Sequence, residues 1–160
     1  MATPTNLPAS FNVGAVLTAA QMNDLRGAFR VLQVVYGSST TQVANATTTL
    51  ADTGITATIT PQSTSNKILV IATTPVYMGD SDSTVTISLQ RGGIPIAANI
   101  QNDSTSPNAH QTSSIVMLDS PATVAATIYK TQFKNGNSSK TSYVCNASQL
   151  GSIVLLEISA

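Results

Sequence analysis

Few side chains in this sequence could carry catalysis, and they stand far apart along it. The chain has one histidine, His110, and one cysteine, Cys145. A nucleophilic triad needs an imidazole held beside a hydroxyl and an acid, and nothing in the polar stretch around His110 marks such partners. Cys145 closes the segment Thr141-Ser-Tyr-Val-Cys, which predicts a strand, where an unpaired cysteine is typically a small buried side chain. We therefore predict that neither residue is catalytic.

The acidic residues also lack the spacing of a catalytic pair or a metal site. Most of them stand singly in turns, where an aspartate caps local backbone donors. Asp80 and Asp82 could contribute to a calcium loop, but the later glycine and acid of an EF-hand are missing. Phosphate-binding loops, zinc spacings and nucleophile elbows do not occur. The sequence therefore predicts no enzyme, no cofactor and no metal. The acids considered were Asp24, Asp52, Asp80, Asp82, Asp103, Asp119 and Glu157.

Tyrosines are the residues that best suit a carbohydrate surface, because their rings offer flat apolar faces with polar tips. The chain has no tryptophan, and its four tyrosines mostly lie in predicted strands. Packing in the core or on a sheet face explains them more simply. Glycan binding on loops is kept as an alternative. The four are Tyr36, Tyr77, Tyr129 and Tyr143.

The composition disfavours several classes of partner. Only 9% of residues are charged and the formal net charge is zero. Binding to nucleic acid requires clustered lysine and arginine, so we expect neither nucleic acid nor a membrane as partner. No apolar run approaches the roughly 20 residues of a membrane span. A neutral surface does not keep copies apart by repulsion, which favours assembly; a neutral secreted or surface domain that tolerates this composition is the open alternative.

Residues 1–30 predict an extended arm and one short helix. Proline, glycine and isolated apolar residues up to about Val16 are not typical of a core element. A helix from about Ala19 to Phe29 follows, because Thr18 and Gln21 match a capping box. We expect the apolar side chains of this segment to anchor the protein to a partner or to pack against its own domain. They are Leu7, Phe11, Val13, Leu17, Met22, Leu25 and Phe29.

Residues 31–160 change to a two-residue periodicity with frequent turns, which predicts a single all-β antiparallel domain. Two of its strands, Ile68–Ala72 and Ile153–Leu156, are apolar on both faces. One face of each must be covered by another subunit or by the N-terminal helix. The predicted strands are 31–36, 47–50, 55–60, 67–78, 85–90, 111–118, 124–128, 141–145 and 152–159.

Several segments carry a further signal through their order along the chain. They are Val31-Leu-Gln-Val-Val-Tyr, Asp52-Thr-Gly-Ile-Thr-Ala-Thr-Ile-Thr-Pro, Ser65-Asn-Lys-Ile-Leu-Val, Ser88-Leu-Gln-Arg-Gly-Gly and Ser152-Ile-Val-Leu-Leu-Glu-Ile. In this order they resemble a β-sandwich module of tailed-bacteriophage virions, found in tail fibre and tailspike tips and in small head proteins. The stretch from Leu17 to Leu25 is similar to the connector that often precedes that module.

The resemblance implies a jelly-roll-like antiparallel β-sandwich of about eight strands, without catalytic residues, that forms a homotrimer on the virion. About thirty residues precede the module, which is short for a fibre shaft. This favours similarity to the trimeric capsid cement, or decoration, proteins of short-tailed cyanophages. Such a protein would bind the major capsid protein on the outer capsid surface. The alternative is a small tail fibre or tailspike tip that binds a host surface receptor or glycan.

Overall fold

The computed structural model describes residues 31–80, 84–102 and 108–159, together with Gly14, Val16, Thr18 and Ala19. At residues 100–102 it describes the backbone only. Apart from these four residues, the predicted arm and helix lie outside the described part of the chain, and the division into 1–30 and 31–160 stays a prediction. The same holds for the predicted anchoring residues Leu7, Phe11, Val13, Leu17, Met22, Leu25 and Phe29.

Ten strands form two antiparallel sheets within the described residues. A 3-10 turn at Asn146–Ser148 connects the ninth strand to the tenth. The strands are β1 (Val31–Ser39), β2 (Val43–Asn45), β3 (Ala51–Ile59), β4 (Lys67–Met78), β5 (Thr84–Arg91), β6 (Ile94–Asn102), β7 (Ala109–Asp119), β8 (Thr127–Asn135), β9 (Ser142–Val144) and β10 (Gly151–Ile158).

The strand order identifies the topology. In the first sheet the long strands lie in the order β1-β10-β4-β7, and the short β9 and β2 extend it beside the end of β4. The second sheet has the order β3-β8-β5-β6. Numbered among the eight long strands alone, these orders are 1-8-3-6 and 2-7-4-5, the arrangement of a double-sheet jelly roll. The predicted jelly-roll-like antiparallel β-sandwich of about eight strands is confirmed.

The core lies between the sheets because alternate residues of each strand point inward. In β3 and β8 every second side chain is buried, and Tyr129 and Phe133 are among the largest fully buried side chains. The two sheets approach each other closely where β1 lies against β3. A Cβ on Gly37 would lie 1.9 Å from the carbonyl oxygen of Thr56. Glycine is therefore required there by the close approach of two backbones.

The predicted strand at Thr47–Leu50 is wrong. The amide nitrogen and the hydroxyl of Thr47 both donate to Oδ1 of Asn45, at 2.8 Å each, and Nδ2 of Asn45 donates to the carbonyl oxygen of Thr49 at 2.9 Å. Such local side-chain bonds hold the backbone in a bend instead of a ladder. The strand in this region is β2, which ends at Asn45.

Two further predictions in the second sheet are corrected. Val124 and Ala126 precede β8, and Ile128 faces outward with 48% of its surface exposed. The buried face carries Tyr129 and Phe133 instead, because the larger aromatic side chains remove more apolar surface from water. The strand β6 was not among the predicted strands. It is an edge strand paired with β5, and a shift in their register beside Pro95 conceals its periodicity.

Candidate interaction surface

The outward face of the first sheet carries two rows of apolar side chains across four strands. The strand register aligns Val34, Leu156, Leu69 and Leu118 in one row. It aligns Tyr36, Val154, Ile71 and Val116 in the next. We call these eight residues the apolar rows. They confirm that β4 and β10 are apolar on both faces, and among the described residues no element covers the outward one.

The apolar rows leave a large fraction of their surface in solvent. The exposed fraction is 66% for Val116, 59% for Val34 and Leu118, and 58% for Tyr36, while Ile71 at the centre is 37% exposed. Strands about 4.8 Å apart and rows about 7 Å apart give a flat patch whose Cα atoms span roughly 14 by 7 Å. A contiguous apolar patch without a charge is the usual mark of an interaction surface.

A row of small hydroxyl side chains borders the apolar rows on one side. It consists of Ser38, Ser152, Thr73 and Ser114, which the register places side by side. We call it the hydroxyl row. These side chains are short and polar, so the apolar character of the face ends here.

Beyond the hydroxyl row, the same face ends in aromatic side chains. Tyr77 of β4 lies between Tyr143 of β9 and His110 of β7 in the register. Its ring centroid is 4.7 Å from that of His110 and 5.7 Å from that of Tyr143, with tilted planes. The Tyr77 hydroxyl donates to Oδ1 of Asn108 at 2.5 Å. Tilted aromatic neighbours at these distances stabilise one another, so the three rings form one aromatic row.

A cavity of about 510 Å³ opens beside the aromatic row. Two tyrosine rings supply its apolar surface, and amide, hydroxyl and carboxyl groups supply the rest. We call it the aromatic cleft. Its lining is Gln42, Tyr77, Gly79, Asp80, Thr141, Tyr143 and Asn146.

A buried acid ties the two sheets together. Asp119 at the end of β7 accepts two hydrogen bonds from Nη1 of Arg91, at 2.7 and 2.8 Å. It also accepts one from the Tyr129 hydroxyl at 2.7 Å. Burial, together with the neighbouring Asp119 carboxylate, raises the pKa of Tyr129. Asp119 therefore has a structural role, as its partners belong to the second sheet.

Glu157 of β10 is fully buried and holds a loop in place. Its carboxylate accepts hydrogen bonds from Nε2 of Gln33 at 2.6 Å, Nδ2 of Asn66 at 2.6 Å and the amide nitrogen of Gln62 at 2.7 Å. Burial alone raises the pKa of a carboxyl group. Here these hydrogen bonds outweigh burial and lower the pKa of Glu157 below its ordinary value, so the carboxylate stays ionised and fixes the turn between β3 and β4.

The other described residues considered for catalysis lie in different parts of the fold, and Asp24, Asp82 and Asp103 lie outside the described residues. Cys145 is fully buried, and burial raises the pKa of its thiol. His110 is exposed and lies in β7 instead of a loop. Asp52 pairs with Lys130 at 2.7 Å, and hydrogen bonds from Lys130 and Gln132 lower the pKa of its carboxyl group. Among the described residues no three histidine, cysteine or acidic side chains lie close enough together to hold a metal ion.

Sequence reasoning found the two-sided apolar strands but not the aromatic cleft. Tyr77 and Tyr143 are far apart in the sequence, and only the pairing of β4 with β9 places their rings together. The sequence placed both tyrosines within predicted strands. It did not show which strands are paired, so it could not place the two rings side by side. In the part of the chain that the structure describes, no helix has the length and apolar character to cross a membrane.

Comparison with known proteins gives distant structural similarities. No protein-family model matches the chain, and no curated protein matches it. A structure of the Gt strain of infectious bursal disease virus is similar over 80% of this chain and 38% of its own, with 9% identity and a TM-score of 0.47. The T13 particle of the same virus is similar over 79% and 37%, with 9% identity and a TM-score of 0.46.

A bacterial protein shows a similar distant likeness. Dimeric latent PorU from Porphyromonas gingivalis matches over 78% of this chain and 13% of its own, with 9% identity and a TM-score of 0.41. The chain thus spans less than two fifths of the length of each of these three structures. At these identities and TM-scores no function is transferred from any of them.

Proposed function

We propose that this chain is a non-enzymatic structural protein of a virion, a capsid cement protein of a tailed bacteriophage. In this proposal three copies form a homotrimer on the outer capsid surface and bind the major capsid protein. The order of segments that resembles phage virion modules supports the virion as location. The observation that carries the assembly role is the uncharged apolar patch formed by the apolar rows.

The apolar rows suit contact between copies of this chain. They lie on regular strands, so their shape is fixed before association and little conformational entropy is lost. The chain has a formal net charge of zero, so repulsion between copies does not oppose the contact. We place the apolar rows towards the threefold axis, where they meet the same rows of two sister copies.

The predicted arm supplies the contact with the shell. Its apolar side chains, from Leu7 to Phe29, would fasten each copy to the major capsid protein. A ligand that binds only the assembled shell stabilises that shell by mass action. Many such trimers would reinforce a head without any chemical step. This agrees with the structural roles of Asp119 and Glu157 and with the buried thiol of Cys145, whose pKa is raised.

The experiment is a binding assay on phage heads emptied of DNA and stripped of this protein, with copy number measured on intact particles. Cement function requires saturable binding of trimers and hundreds of copies for each particle, with density on the outer shell in cryo-electron microscopy. A protein that is monomeric at micromolar concentration and binds neither heads nor tails contradicts the proposal.

The aromatic cleft favours one second candidate, a small tail fibre or tailspike tip that binds a host receptor. This protein would share the trimer but use the far end of the sheet for contact with the host. A dozen or two copies for each particle, with density on the tail, would replace the cement proposal by this one.

A further inference from the structure

We propose that the aromatic cleft is a binding site for a neutral saccharide. The cleft is formed within one chain, so this inference does not depend on the trimer or on the location in the virion. Its volume of about 510 Å³ falls within the usual range of small-ligand sites, about 300–1,000 Å³. That volume accommodates an oligosaccharide of a few rings.

The lining combines aromatic faces and polar groups, which match the apolar face and the hydroxyl groups of a sugar. The rings of Tyr77 and Tyr143 are partly exposed and adjacent, 5.7 Å apart between centroids. A pyranose ring has an apolar face of C–H groups that packs against such aromatic faces. Tyr77 is held in position by its hydrogen bond to Asn108 and by its contact with His110, so little ordering is needed when a ligand binds.

The polar groups of the cleft fit hydroxyl groups. Gln42 and Asn146 each carry a donor and an acceptor, and Thr141 carries a hydroxyl that can do both. Asp80 adds a carboxylate that accepts from O–H donors, in bonds stronger than those between neutral groups. A ligand that presents several neighbouring hydroxyls can satisfy acceptors and donors together.

The charges of the cleft exclude two other classes of ligand. None of its seven lining residues is a lysine or an arginine, the side chains that most often bind phosphate and carboxylate ligands. The carboxylate of Asp80 repels such anions. Apolar ligands such as lipids are disfavoured because polar groups line most of the cleft. A neutral, hydroxyl-rich ligand fits this lining better than either of these classes.

The test uses the full-length protein on an array that carries neutral oligosaccharides built from hexoses and N-acetylhexosamines, with acidic oligosaccharides for comparison. Calorimetric titration of the strongest binder follows. We expect binding of at least one oligosaccharide. Tyr143→Ala should lower its affinity about tenfold, the factor that loss of one aromatic stacking contact produces. Tyr143→Phe keeps the ring and should bind within about threefold of the wild type.

Two variants separate loss of the site from loss of the fold. Asp80→Asn keeps a side-chain oxygen that can accept from the Thr141 amide nitrogen, as the carboxylate does at 3.5 Å. It should weaken saccharide binding at least fivefold, while circular dichroism shows the same fold. Tyr36→Ala removes a tyrosine of the apolar rows, about 20 Å or more away along the sheet, and should leave the affinity for each site unchanged.

Four outcomes overturn the proposal. They are the absence of any array signal above that of Tyr143→Ala, equal loss of binding in Tyr36→Ala, preference for acidic saccharides, and loss of binding when EDTA removes divalent cations. The last would identify a cation site at Asp80 in place of direct recognition of the sugar.

Discussion

A single charge at the centre of the apolar rows should dissolve the proposed trimer. Ile71 lies on the central strand β4, and 37% of its surface is exposed in the isolated chain. Full burial of an isoleucine side chain contributes about 1.5–3 kcal/mol, so covering that third in the trimer contributes roughly 0.5–1 kcal/mol for each protomer. The substitution Ile71→Asp removes this gain and forces a carboxylate into an apolar contact.

The cost of the buried charge dominates. Even a neutral polar group buried without a partner costs about 2–7 kcal/mol, and an ionised carboxylate costs more. A conservative ~3 kcal/mol for each protomer amounts to about 9 kcal/mol for a trimer, or more than six orders of magnitude in its association constant. Ile71→Asp should therefore be a folded monomer at any practical concentration.

The assay is sedimentation velocity at about 10 μM and pH 7, with circular dichroism to confirm the fold. We expect the wild type at three times its mass of 16.5 kDa and Ile71→Asp at one. The matched control is Ile94→Asp, the same substitution at a residue of the second sheet that is 67% exposed. Ile94→Asp should remain trimeric. A trimeric Ile71→Asp, or a monomeric wild type, refutes the reasoning.

Three further predictions concern stability and reactivity. Glu157→Gln should lower the free energy of unfolding by about 1–3 kcal/mol at pH 7, measured by urea unfolding. Because the folded pKa of Glu157 lies below its ordinary 4.5, the difference in unfolding free energy between wild type and variant should shrink as the pH falls through that folded pKa. A difference that stays constant down to pH 2 would contradict this. Gly37→Ala should lower the free energy of unfolding by about 2 kcal/mol or more, because its Cβ would lie 1.9 Å from the Thr56 carbonyl oxygen. Gly79→Ala is the control: the nearest atom to its Cβ is 3.7 Å away, so stability should change by less than about 0.5 kcal/mol. Equal losses of stability in the two variants would contradict the steric explanation. Cys145 should not react with a disulfide reagent in the folded protein at pH 8 and should react fully in guanidinium, since burial raises its pKa and blocks access; rapid reaction in buffer would show the thiol to be accessible.

The sequence was informative where one residue pattern determined one structure. The bounds of β4 agree with the predicted strand, because a long run of β-branched and apolar residues follows the turn at Pro61 to Asn66. Both faces of β4 were recognised as apolar from the sequence, since alternation fails visibly there. The fold class followed from the two-residue periodicity between frequent turns.

The sequence was less informative where side chains compete with the backbone or where the register decides. Asn45 bonds to its own neighbours and ends a strand that threonine propensity would have continued. Ile128 and Tyr129 lie on opposite faces of β8, and Tyr129 faces the core because its larger side chain removes more apolar surface from water. The aromatic cleft needed the register of β4 with β9, which no local pattern of residues encodes.

The hydroxyl row has a consequence for how such a protein changes over generations. This row separates the apolar rows from the aromatic row on the same face of the sheet. The two surfaces use different side chains on partly shared strands. Substitutions near Tyr77 can therefore leave every side chain of the apolar rows unchanged. In the proposed virion protein, a lineage could therefore acquire a new ligand at the aromatic cleft while the proposed contact between copies is inherited unchanged.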